Sequence, residues 1–164
     1  MFRTSQSKCW LGLAAALFLS GAVPARAETL HPSGNPLGLG VIVGEPTGIT
    51  GKKWLGHRSA FDFGAAWSFG RNDAVLLYAD HLWHHYDVFH VDKGAMALYY
   101  GLGGRASLRD EGQDAFGVRV PVGLAYQFEN SAIGLFLEVA PVVDLAPDTD
   151  LEAMGGLGAR YYFQ

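Results

Sequence analysis

From Phe116 to Phe128 the chain alternates without interruption. Phe116, Val118, Val120, Val122, Leu124, Tyr126 and Phe128 share one parity, and Gly117, Arg119, Pro121, Gly123, Ala125 and Gln127 share the other. Successive side chains of a strand point to opposite faces, so this run describes a strand with one bulky apolar face and one small or polar face. The same period returns at Phe61–Phe69, where Phe61, Phe63, Ala65, Trp67 and Phe69 oppose Asp62, Gly64, Ala66 and Ser68. It returns again at Ile133–Leu145, where Gly134, Phe136, Glu138, Ala140, Val142 and Asp144 form the second face. Helical periodicity is missing. After residue 36 no run approaches 18 continuous apolar residues, which excludes a transmembrane helix there.

Turn-forming clusters punctuate these runs at Gly44–Pro46, Gly56–Arg58, Gly70–Asp73, Val91–Gly94, Arg109–Asp114, Glu129–Ser131 and Ala146–Asp150. They divide the chain into eight expected strands: 37–44, 47–55, 59–70, 74–89, 95–109, 114–129, 132–146 and 150–163. A soluble β-sandwich also alternates, but it turns a polar face to water. Here the face opposite the bulky groups carries Gly, Ala, Ser and scattered charges. Gly accounts for 22 of the 164 residues, nearly twice the usual ~7%. An eight-stranded antiparallel up-and-down transmembrane β-barrel explains the pattern directly, with bulky groups toward lipid and small or polar groups toward a narrow lumen. Closure also removes the sheet edges that a lipid-embedded backbone cannot leave unpaired.

Residues 1–27 read as a cleavable secretory signal peptide. Arg3 and Lys8 precede the short apolar core Leu11–Leu19, and Ala25-Arg26-Ala27 supplies the cleavage site. Residues 28–36 form a polar lead, and 37–164 the barrel. Cleavage removes Arg3, Lys8 and Arg26 but no acid, leaving nine basic and sixteen acidic residues and a formal charge of −7. The single Cys9 leaves with the signal, so no disulfide framework is possible. The acidic balance argues against a nucleic-acid partner.

Carrying the alternation through every strand collects Lys52, Arg105, Arg119 and Arg160 on the lumen face, with Asp62, Asp80, Glu138 and Asp144. His84 shares that face. The expected role of these groups is structural: four opposite charges balance four in an interior just wide enough for side chains to fill. Adjacent Lys52 and Lys53 leave the register of the second strand the least determined. Trp83, Tyr86, Tyr161 and Phe163 gather at the ends of strands four and eight. They are expected to form an aromatic girdle at the periplasmic rim, with both chain ends on that side.

Several segments occur in the order of a known group: Gly44–Gly48 leading into Lys53-Trp54-Leu55, then Ala60–Phe69, Gly117–Leu124, Phe136–Pro141 and Gly155–Phe163. Together they resemble an uncharacterised family of small bacterial outer-membrane β-barrel proteins with OmpA/OmpX-like architecture. The resemblance covers essentially the whole mature chain. It implies the fold and an outer-membrane location, and brings no catalytic or binding residues with it. Gln164 after Phe163 departs from the terminal aromatic with which such barrels usually end.

No cofactor or metal site is expected. His81, His84, His85 and His90 cluster, but neighbouring positions of one strand face opposite ways and cannot converge on an ion. A lipid A-modifying enzyme needs a nucleophile beside a base, whereas Asp80 and His84 lie roughly 13 Å apart by strand rise. A surface adhesin needs long external loops, and the external connections at 44–46, 70–73, 109–114 and 146–150 are short. The acids of the last two could hold divalent cations near lipopolysaccharide. The expectation is a monomeric, envelope-stabilising barrel. Its partners are outer-membrane lipids and lipopolysaccharide, with periplasmic chaperones and the barrel-assembly machinery during biogenesis. The enzyme and the ligand-binding barrel remain as alternatives.

Overall fold

The structure, a computed structural model, describes residues 36–68, 74–109 and 113–163. The expected signal peptide and all of the lead but Pro36 lie outside them. The described chain is all β: β1 (Leu37–Glu45), β2 (Thr47–Trp54), β3 (Ser59–Ser68), β4 (Ala74–His85), β5 (Ala95–Arg109), β6 (Ala115–Arg119), β7 (Val122–Gln127), β8 (Ile133–Ala146) and β9 (Asp150–Phe163). Every pairing is antiparallel between neighbours, and β1 pairs with β9 from Leu37↔Phe163 to Glu45↔Gly155, closing the ring.

β6 and β7 are two halves of one stave, since both lie between β5 and β8. The ring therefore has eight staves. The uninterrupted strand expected over 114–129 is broken at Val120-Pro121, because proline has no N–H to give the ladder. Neighbours bridge the gap: Gly101 N donates to Pro121 O at 2.8 Å, and Val120 N to Pro141 O at 3.0 Å. A register shift follows between Phe116 and Gly117, whose partners on β8 are Ala146 and Asp144. β4 also stops at His85, four residues short of the expected Phe89. Val88 and Phe89 are consecutive apolar residues that cannot share one face of a strand, and both lie exposed in the connection. That connection ends at Gly94, whose φ of +73° suits glycine and where a Cβ would collide with the Gln127 carbonyl.

The alternation becomes an outside and an inside. On β8 every odd residue from Ile133 to Leu145 is exposed, and every even one from Gly134 to Asp144 is buried. Leu39, Val41, Ile49, Phe63, Leu102, Leu137 and Leu157 stand on the outer surface, an apolar band that water would not favour but hydrocarbon does. The inner face holds three apolar clusters. Trp54, Ala60 and Tyr162 lie near the rim with the chain ends, Ile42, Leu82, Tyr99 and Phe136 in the middle, and Ala140, Val142 and Met154 toward the opposite rim.

Candidate functional site in the barrel lumen

All nine lumen residues named from the sequence are buried. Lys52 points inward and Lys53 is exposed, which fixes the register of β2 as Lys52↔Asp62. These residues do not form one undifferentiated network. They sort into four groups along the barrel.

Arg119 on β6 is central. Its Nε donates to Asp80 Oδ2 at 2.8 Å, its Nη2 donates to Glu138 Oε1, and its guanidinium lies 4.2 Å from the Tyr78 ring centre. Tyr99 completes Glu138 by donating to Oε2 at 2.9 Å. Arg119 thereby joins its neighbour β8 to β4, which lies beyond β5 on its other side. A second group joins Arg160 on β9 to Asp62 on β3, Nη2 to Oδ1 at 2.8 Å, while the same nitrogen donates to Thr50 Oγ1 at 2.7 Å. The Arg160 guanidinium sits over the Phe136 ring at 3.8 Å.

Toward the rim away from the chain ends, Arg105 grips Asp144 with both oxygens, Nε to Oδ1 at 3.1 Å and Nη2 to Oδ2 at 2.6 Å. It also meets Glu152 at 2.6 Å. Glu152 was not among the expected lumen charges. Its side chain is 43% exposed; it shares the inward parity of Met154 and Arg160, lies opposite buried Val142, and reaches Arg105 from the open mouth near the start of β9.

The fourth group is Lys52 with His84. Lys52 Nζ donates to His84 Nε2 at 3.0 Å and lies 4.9 Å from the Tyr99 ring and 5.5 Å from the Trp54 ring. This group borders a small pocket of about 30 Å³, also lined by Tyr86, Gln127, Arg160 and Tyr162.

The expected girdle needs one correction. Trp83, Tyr161 and Phe163 are exposed on the outer face at the chain-end rim. Trp83 lies against Tyr100, and Tyr161 against Phe163, with ring centres 5.8 Å and 5.2 Å apart. Tyr86 is not part of that belt. It shares the even parity of the buried β4 residues and packs against the inner cluster of Trp54, Ala60 and Tyr162. Burial there pushes its phenol well above the ordinary tyrosine range and keeps it protonated.

Outside the lumen, Ser59 Oγ and His81 Nε2 lie 2.9 Å apart on the lipid side of the same rim. This pair went unrecognised because the two residues are 22 positions apart and meet only through the register Ser59↔Trp83, Phe61↔His81. Among the described residues, no three His, Cys, Asp or Glu side chains converge as a metal site.

No protein-family profile matches the sequence, and no curated protein matches it. Solved structures do. The N-terminal β-barrel domain of Pseudomonas aeruginosa OprF is similar at a TM-score of 0.59 and 16% identity, over 79% of this chain and 98% of that one. A de novo designed transmembrane β-barrel is similar at a TM-score of 0.56 and 13% identity, over 82% of this chain and all of the design. Neisserial surface protein A aligns over 78% of this chain and 94% of its own at 14% identity, with a TM-score of 0.49. The first two likenesses agree with the ring closure and the facing pattern: the fold is the eight-stranded, antiparallel, up-and-down barrel of small transmembrane β-proteins.

Proposed function

We propose that the protein is an integral, monomeric barrel of the bacterial outer membrane that stabilises the envelope, with a lumen closed to solutes. The observation carrying this reading is Arg119, which ties Asp80 on β4 to Glu138 on β8 inside the barrel. Such bracing supports a closed lumen, because eight strands enclose a space that side chains alone can fill. Lipopolysaccharide and phospholipid surround the apolar band in this reading. Periplasmic chaperones and the barrel-assembly machinery deliver the chain. Purified protein in planar bilayers should show no sustained conductance, and outer-membrane fractions should contain a heat-modifiable species. A stable open channel, or a soluble periplasmic product, would overturn the proposal.

One contact favours a second reading, a lipid-directed hydrolase. Ser59 and His81 have the spacing of a nucleophile and its base. The same location argues against it, because both residues sit in regular strands of the β3–β4 ladder. Ladder N–H groups are committed to neighbouring strands, which leaves no preorganised donors for an oxyanion. Lipid A and phospholipid mass spectra from a strain lacking the protein separate the readings: the structural barrel leaves both profiles unchanged.

A further inference from the structure

The pocket at the chain-end rim is bordered by two cations whose hydrogen-bonding capacity is not used up. Lys52 is fully buried, and among the described residues no carboxylate comes within 4.0 Å of its Nζ. An ammonium has three donors; His84 Nε2 takes one, and the faces of Tyr99 and Trp54 surround the rest. The acids of this part of the lumen, Asp62 opposite Lys52 on β3 and Glu138 on β8, form ion pairs with other cations. Asp62 pairs with Arg160, and Glu138 accepts from Arg119 and Tyr99. Arg160 lines the same pocket, is 2% exposed, and keeps its Nε without a protein acceptor.

A buried ammonium held by an imidazole and aromatic faces is poorly compensated, because removing a charge from water is costly unless a counter-charge replaces the solvent. We propose that this pocket binds one small inorganic monoanion of chloride size, held by Lys52 and Arg160. The size follows from the space. About 30 Å³ is room for one or two water-sized bodies, which suits a halide. Selectivity for charge follows from the lining, which offers N–H donors from Lys52 and Arg160; the Gln127 amide is already committed to the Ser131 and Ile133 carbonyls. Entry is from the rim, since the lining residues Ala95 and Gln127 are end residues of β5 and β7 and Gly134 is the second residue of β8.

The test uses the full barrel refolded in detergent micelles. Sodium bromide and sodium chloride are titrated against sodium gluconate at constant ionic strength while NMR follows the Lys52 Nζ and His84 ring signals. A saturable shift with both halides and none with gluconate is expected, and crystals grown in bromide should show an anomalous peak in the pocket. Lys52→Met should abolish the halide-specific shift while retaining heat-modifiability. If that variant does not fold, the halide-against-gluconate comparison on the unaltered protein decides alone. Equal responses to halide and gluconate, or a pocket holding only water in bromide crystals, would overturn the assignment.

Discussion

Tyr99 stands directly opposite Gly123 across the β5–β7 ladder, and its phenol ring fills the space that a side chain at position 123 would take. The relationship recurs at Tyr78 over Gly64, Phe136 over Gly158 and Tyr162 over Gly38, each a register pair on the inner face. Glycine thus serves the lumen by making room for a ring on the next strand. Gly123→Ala should destabilise the folded barrel by about 1–3 kcal/mol, the usual cost of overpacking, read as a lower urea midpoint. Gly104 supplies the contrast. It faces outward, and a Cβ there meets only the Gly117 carbonyl at an ordinary 3.6 Å. Gly104→Ala should be neutral or stabilise by about 0.5–1 kcal/mol. Equal destabilisation of the two variants would refute the ring-on-glycine account.

Arg119 predicts a sharper loss. Removing it leaves Asp80 and Glu138 buried without their shared cation, a situation that costs about 3–5 kcal/mol. Arg119→Met should therefore shift the unfolding midpoint strongly. Adding Asp80→Asn and Glu138→Gln removes the stranded charges and should recover much of the loss. A triple variant no more stable than the single one would show that the pairing does not set the cost.

The inner charges were legible because parity survives wherever a strand is regular. Asp62, Glu138 and Arg160 each sit mid-strand, where one register choice fixes every neighbour. Legibility fails where that condition fails. Pro121 satisfies parity yet breaks the ladder, because alternation records which way side chains point and not whether an N–H is present. Tyr86 was drawn to the girdle by its aromatic character, although its even position on the β4 side places it inward with His84. Glu152 lies at a strand end, where exposure is shared between lumen mouth and solvent. The Ser59–His81 contact, like the pairing of particular acids with particular bases, depends on the register between strands, and a single sequence read at period two contains no register.

The two acids on Arg105 should behave differently despite identical 2.6 Å contacts. Asp144 is buried and bidentate, so Asp144→Ala should cost about 3–5 kcal/mol. Glu152 is 43% exposed, and water screens its pair, so Glu152→Gln should cost about 0–1 kcal/mol and less at high salt. Urea titrations at low and high ionic strength read both. A salt-insensitive, severe Glu152→Gln defect would place that carboxylate in the lumen core.

The apolar band gives the prediction that most directly separates a membrane barrel from a soluble one with the same fold. Leu137 and Leu157 face each other midway along β8 and β9 on the outer surface, at 51% and 58% exposure, while Leu151 is 73% exposed near the β9 start. Were the outside wet, all three positions would accept arginine within about 0.5 kcal/mol, as exposed sites generally do. In a bilayer the cost depends on depth: about 2–4 kcal/mol at the midplane and about 0–1 near an interface. Leu137→Arg should accordingly destabilise the barrel refolded into lipid vesicles by several-fold more than Leu151→Arg. In short-chain detergent, which lets water approach the band, the difference should shrink. A flat profile across the three positions in vesicles would contradict the bilayer as the medium around this surface.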